Sequence, residues 1–267
     1  MLCSTTFSGV AYGSSRLALS PTAPSGSDTQ IRQIIHWPGS YETYRKVPSC
    51  IMYEQQGSEP AKVVAWGLEA KNRSGGPGLV KCEWFKLLLS PESLRSGVVD
   101  PRLPPLPLGK TPVDVISDYL RCLWAYGKGK ITDEIGSVVD LDSADVLLTV
   151  PAAWDAAGCA LMREAAISAS LVQSARGGDK NWRDRLKIIT EPEAAAIHTS
   201  SLANFHHLRP PQAFVVCDAG GGTVDCAGYK LMGDLASLNM AEISVRAGTT
   251  SGGLFVDLLF EELVRSM

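Results

Sequence analysis

The stretch Asp218-Ala219-Gly220-Gly221-Gly222-Thr223-Val224-Asp225 constrains this chain more than any other. It lies between two apolar runs that read as strands, Ala213–Cys217 and Val224–Leu231. Three glycines in a row let the backbone approach a ligand closely and aim successive N–H groups inward. Such a nest binds anions, phosphate above all. Thr223 adds a hydroxyl, and Asp218 and Asp225 add carboxylates that can face a hydrated Mg²⁺, which keeps several of its waters. The alternative is a plain hairpin or linker, and the flanking aspartates and threonine weigh against it. The element after the turn reads as a strand, and Asp225 stands where the third glycine of a dinucleotide fingerprint belongs, so that motif is disfavoured. Gly-Lys-Ser/Thr occurs nowhere, so there is no P-loop; Gly129-Lys130 is followed by Ile131.

The remainder reads as α/β. The 267 residues are 45% apolar and 20% charged, enough to bury a core and far from a disordered or coiled-coil composition. Phe7–Leu19 and Ile31–Trp37 read as strands around a turn at 20–28. A second unit over about 38–110 holds strand-like runs Val47–Tyr53 and Val63–Trp66, a glycine loop at 72–78 and a stiff connector with Pro101, Pro104, Pro105 and Pro107. Val113, Ile116, Leu120, Leu123 and Trp124 predict an amphipathic helix over 112–126, stopped by Gly127 and Gly129. A buried strand over 145–150 follows. Next comes a helix over 155–173, capped by Asp155, with Leu161, Ala165, Ile167 and Leu171 inward. A strand over Leu186–Thr190 leads into a helix at 192–203, with Pro192 at its start. Residues 204–212 read as a linker, Glu242–Ala247 as a third strand and Leu254–Arg265 as a helix.

Composition narrows the partners. Lys and Arg total 25 against 28 Asp and Glu, a net charge of −3, which disfavours nucleic acid. No run approaches the ~18 apolar residues of a membrane span. The N-terminus lacks the basic and apolar regions of a signal peptide, so a cytoplasmic protein is expected. Seven cysteines are scattered without a C-x-x-C pair and read as reduced, mostly buried thiols. His206-His207 has no companion ligands at metal spacing and reads as solvated. No Gly-x-Ser-x-Gly elbow marks a serine hydrolase.

The glycine turn resembles the second phosphate loop of the actin-like ATPase superfamily, which includes actin, sugar kinases and heat-shock 70 chaperones of DnaK type. Other segments match in order. Thr5-Thr6-Phe7-Ser8-Gly9 is similar to the tail of the first phosphate loop. Leu148-Thr149-Val150-Pro151-Ala152 resembles the strand and turn before a long helix in the chaperones. Thr190-Glu191-Pro192-Glu193-Ala194-Ala195-Ala196 looks like their Glu-Pro-Thr-Ala-Ala-Ala segment, and Gly248-Thr249-Thr250-Ser251-Gly252-Gly253 like a later glycine turn. The likeness points to the divergent heat-shock 70-like group without the usual chaperone tail. It implies an actin-like, ribonuclease H-like α/β fold. Lobe I would span 1–210, with a subdomain inserted at about 38–110, and the beginning of lobe II would span 211–267.

The resemblance also implies roles. Gly220, Gly221, Gly222 and Thr223 would hold the β/γ-phosphates of ATP or ADP, and Thr5, Thr6 and Asp225 would also bind the nucleotide. Asp218 would contact the water shell of Mg²⁺, and Glu191 would orient metal-bound water or cap its own helix. Lys86 lines up with the lysine that reaches the γ-phosphate, or is an ordinary surface lysine. A positive charge there stabilises phosphoryl transfer. Lys71, in Gly67-Leu68-Glu69-Ala70-Lys71, would be structural. Gly252 and Gly253 would approach the nucleotide, or simply start a helix.

The pattern breaks at its beginning. Leu2 and Ser4 occupy the places of the aspartate and glycine in the family's Asp-x-Gly-Thr-Thr loop. Against the family the chain reads as about two-thirds of a two-lobed ATPase, starting inside one phosphate loop and ending inside a helix. The expected activity is Mg²⁺-dependent ATP binding and hydrolysis driving lobe closure, impaired here, with client or co-chaperone proteins as partners. The alternatives are a degenerate, non-enzymatic interaction module and a small-molecule kinase of the sugar-kinase branch.

Overall fold

The computed structural model describes residues 1–13, 31–90, 105–137, 140–174, 179–201, 210–232 and 239–267. The expected turn at 20–28, most of the proline connector and His206-His207 lie outside them.

The chain opens with β1 (Leu2–Cys3), β2 (Phe7–Gly9), β3 (Ala11–Tyr12), β4 (Arg32–Gln33) and β5 (Val47–Pro48). The expected strand from Phe7 is therefore broken at Val10, and Ile31–Trp37 contributes only two strand residues. β1, β2 and β5 form an antiparallel ribbon, while β3 pairs β4. Next come β6 (Cys50–Glu54), β7 (Lys62–Trp66), helix α1 (Gly67–Asn72) and β8 (Leu79–Glu83), with sheet order β7–β6–β8. The two-residue period of β6 sorts its side chains. Ile51 and Tyr53 join the main core, whereas Cys50 and Met52 pack with Ala65 and Ala70. Lys71 of α1 pairs with Glu83 at 2.7 Å, a structural use.

Helix α2 (Pro112–Ile135) begins with a capping box between Thr111 and Asp114. It buries Ile116, Tyr119, Leu120 and Leu123. It runs straight through Gly127 and Gly129, the expected stops. A mid-helix glycine costs about 1 kcal/mol, which the packing of a 24-residue helix outweighs. The stop is Gly136, whose φ of 87° few other residues adopt. β9 (Val146–Val150) then leads to helix α3 (Ala156–Ser168), capped by Asp155, which accepts from Gly158 N–H at 2.8 Å. α3 ends five residues short of expectation, where Ser170 has a positive φ; Ala165 and Leu171 are buried as expected, Leu161 and Ile167 pack half-buried against the core, and Met162 and Ala166 are buried as well.

β10 (Leu186–Thr190) pairs in parallel with β9. Met1 links this pair to β1. Its ammonium donates to Leu147 O at 2.6 Å, and Thr149 N–H donates to Met1 O at 3.3 Å, the bonding pattern of a parallel rung. The strands thus follow each other as β5–β2–β1–β9–β10. One hydrophobic core from Cys3 to Leu186 spans these strands, α2, α3 and the β6–β8 unit.

Helix α4 (Glu191–Ser201) follows β10 without a break. β11 (Ala213–Ala219) and β12 (Val224–Met232) form an antiparallel hairpin. The expected third strand is two: β13 (Asn239–Glu242) and β14 (Ala247–Thr249). Both lie on the same edge of β12. Between them Ser244 Oγ accepts from Gly228 N–H at 2.9 Å and takes a ladder position. A Cβ on Gly228 would stand 2.8 Å from that oxygen. Helix α5 (Gly253–Ser266) ends the chain. The fold is mixed α/β.

Candidate functional site

Three glycine-bearing or threonine-bearing segments, far apart in sequence, meet at one place. The turn between β11 and β12 closes with Gly220 N–H donating to Thr223 O at 2.9 Å. A Cβ added to Gly221 would lie 2.3 Å from Thr6 Oγ1, and one on Gly222 would lie 2.3 Å from Thr5 Oγ1. Only glycine permits this approach. Thr5 is buried, as is Thr223. The third segment is the start of α5. Gly252, Gly253 and Leu254 N–H groups donate to the carbonyls of Gly222, Gly220 and Gly221 at 3.2, 3.0 and 2.8 Å. The first N–H groups of a helix have no partner within it; here the glycine turn provides acceptors. Gly252 and Gly253 therefore start the helix, the second of the two uses expected of them, and they do so in direct contact with the turn.

Charged groups gather behind this contact. Trp84, in the left-handed region at φ 58°, turns the chain into a 3₁₀ helix (Phe85–Leu89) that carries Lys86 inward. Lys86 is 2% exposed, so it is no surface lysine. Its ammonium meets Glu191 Oε1 at 2.6 Å and lies 5.7 Å from the centre of the Trp154 ring. Glu191 is the first residue of α4, where a carboxylate is favoured by the helix N-terminus. Removing one partner of a buried ion pair leaves the other uncompensated, at about 3–5 kcal/mol. Cys3, buried on β1, lies in the fields of both Lys86 and Glu191, and burial pushes its thiol pKa up.

Two aspartates complete the cluster. Burial, with Glu191 and Asp225 nearby, raises the pKa of Asp218, against the pull of Lys46 and Lys86. Asp225 is almost fully buried. Burial raises its pKa, opposed by hydrogen bonds from Thr223 and from Ala153 N–H, the latter at 3.2 Å. Glu191, Asp218 and Asp225 are thus three carboxyl groups within the electrostatic reach of Lys86, with Lys46 also acting on Asp218. With all of them ionised the cluster is short of positive charge.

Every site residue expected from the sequence falls in this region. Lys86 and Glu191 are in contact, Asp218 and Asp225 feel both of them, and Thr5, Thr6, Gly220, Gly221, Gly222, Gly252 and Gly253 form the glycine contact. Sequence reasoning missed Trp154 and Lys46. Trp154 follows the Leu-Thr-Val-Pro-Ala segment by only two residues, a signal that was available; Lys46 had none. The indole N–H of Trp154 and the Thr149 hydroxyl are buried without a protein partner. Such groups in a polar setting are met by water or a ligand. Two grooves, of about 290 and 320 Å³, lie elsewhere on the β11–β14 sheet and include none of Lys86, Glu191 or Asp218. No protein-family model matches this chain, and no characterised protein matches it in sequence.

Proposed function

We propose that the chain is an actin-like, heat-shock 70-type module that binds ATP or ADP with Mg²⁺ at the meeting of Thr5-Thr6 with Gly220–Thr223. The observation that carries this is the convergence of Lys86, Glu191, Asp218 and the glycine contact from segments spread between Thr5 and Gly253. The strand order β5–β2–β1–β9–β10, antiparallel in one half and parallel in the other, supports a ribonuclease H-like core.

The donor set suits Mg²⁺ with phosphate better than phosphate alone. Three carboxylates outnumber Lys86 and Lys46 and repel a bare polyanion, and a divalent cation reverses that balance. Among the described residues no three His, Cys, Asp or Glu side chains are gathered to hold a metal directly. Asp218 and Glu191 would therefore hold the ion through its water shell. When bound, Mg²⁺ supplies charge neutralisation to the phosphates. Lys86 stabilises negative charge developing on the terminal phosphoryl oxygens. Glu191 orients water, Thr223 and the glycine backbone donate to phosphate, and Asp225 braces the turn against Ala153. Hydrolysis is weak in this reading because Leu2 holds the position of a carboxylate. The compartment that goes with this function is the cytoplasm; no helix among the described residues is long and apolar enough to cross a membrane.

A second reading, a non-enzymatic interaction module, is favoured by one observation. Lys86 is already satisfied by Glu191, and the start of α5 by the glycine turn, so the region is closed on itself. One experiment separates the two. Mg-ATP raises the melting temperature of the wild-type chain, Asp218→Asn with Glu191→Gln abolishes that rise, and Leu2→Asp with Ser4→Gly increases phosphate release. If Mg-ATP leaves melting unchanged in the wild type and in the Leu2→Asp, Ser4→Gly variant, the nucleotide reading fails.

A further inference from the structure

The hairpin that carries the glycine turn also brings two cysteines together. Most of the seven thiols were expected to be buried, yet only Cys3, Cys50 and Cys82 are; Cys217 is exposed and Cys226 partly so. These two stand directly opposite each other in the β11–β12 ladder.

Antiparallel rungs alternate. Hydrogen-bonded rungs hold their Cα atoms about 5.5 Å apart, and unbonded rungs about 4.5 Å apart with side chains closer. The phase of this ladder can be counted from both ends. At the turn, Gly220 N–H donates to Thr223 O at 2.9 Å, so 220/223 is a bonded rung. At the far end, Leu231 N–H donates to Gln212 O at 2.9 Å, so 212/231 is bonded as well. Alternating inward from either end makes 218/225 bonded and 217/226 unbonded. The two counts agree. Cys217 and Cys226 therefore occupy the close kind of rung, on one face of the sheet. A Cα spacing of about 4.5 Å falls inside the range of about 4.4–6.8 Å found across disulfides.

We propose that Cys217 and Cys226 form a reversible redox pair that closes to an intramolecular disulfide on meeting a low-molecular-weight disulfide. The Cys217 thiolate, the more exposed of the two, attacks one sulfur of the reagent, breaks its S–S bond and expels a thiolate. The Cys226 thiolate then attacks the Cys217 sulfur of the mixed disulfide and expels the second thiolate. Each cysteine gives up one proton. The two electrons lost by the protein thiols reduce the reagent to two thiols. The bridge would lie one rung from Asp218 and Asp225 and tie the strands together beside the glycine turn. Its chemistry does not depend on nucleotide binding. Exposed disulfides of this kind are the readily reduced, regulatory ones.

The sequence makes the test direct. Trypsin leaves both cysteines, and no other, in the single peptide 188–230, because Arg209 is followed by proline. The full chain is incubated with oxidised glutathione, alkylated and digested. That peptide is expected to lose two hydrogens and to take up no alkyl group. Dithiothreitol restores both alkylation sites, and Cys217→Ser leaves Cys226 open to alkylation or glutathione capture. Full alkylation of wild-type 188–230, glutathione retained on both cysteines, or a bridge from either to another cysteine overturns the proposal.

Discussion

Residues 1–190 and 211–267 bury apolar surface in different ways. In the first region one core gathers Ile51, Phe85, Ile116, Leu120, Leu148, Met162 and many more, several of them with no exposed area. In the second, the only buried cluster among the described residues is Ala227 and Tyr229 with Ala196 of α4. Val215 is 71% exposed, and on α5 Val256, Leu259 and Phe260 are each more than 60% exposed. Both regions are regular in backbone, yet only one has a core able to offset its chain entropy. The second is held by its ladder and by its contacts with the first: Gly222 on Thr5, Gly248 beside Ala153 and Asp225 on Ala153 N–H. The candidate site is therefore also the joint that stabilises residues 211–267.

The largest effect should come from the core itself. Leu120→Ala, at a position with no exposure, should cost about 2–5 kcal/mol, whereas Leu259→Ala should stay within about 0.5 kcal/mol. Urea unfolding measures both, and equal costs would remove the contrast. The joint comes next. In Gly222→Ala the new methyl meets Thr5 Oγ1 at 2.3 Å and Cβ at 2.7 Å, and the buried threonine has nowhere to swing. The expected loss is about 1–3 kcal/mol. Amide exchange should accelerate over 213–232 and leave α2 protected; uniform acceleration would show that the regions unfold as one.

The smallest effect is electrostatic. Asp218 has a raised pKa when folded, so its contribution to stability is fully present below the ordinary carboxylate range and is lost as pH rises through the raised value. Asp218→Asn carries no charge at any pH. Its melting temperature should match wild type near about pH 4 and exceed it modestly near about pH 7. A deficit at neutral pH would mean that Asp218 is held by a partner cation or hydrogen bond stronger than its burial cost.

The site was more legible than the fold. The glycine turn, Glu191 at a helix start and the strand Leu186–Thr190 could be read because each rests on a local demand: small residues at a close approach, a carboxylate at N–H groups, an apolar run of strand length. What failed was decided at a distance. Gly127 does not break α2 because its face lies against Ile34 and Val10, from segments about a hundred residues away. The strand expected over 242–247 splits because Ser244 meets Gly228 across the sheet. β8 escaped notice because its pairing partner, β6, supplies the reason for its shape. For Lys86 the alternative of an ordinary surface lysine falls only when its partner, 105 positions later, is placed beside it.

The three bonds from the start of α5 to the glycine turn have a mechanical consequence. A helix of 14 residues is about 21 Å long. Tied to the turn at its first residues and exposed at Val256, Leu259 and Phe260, it extends any tilt of the turn along its length. A tilt of about 10° at the turn carries the far tip sideways by about 4 Å, by the same helix dimensions. A sub-ångström adjustment of Gly220–Gly222 is thus magnified at Val264 and Met267, and a push on the tip returns to the turn with the same leverage.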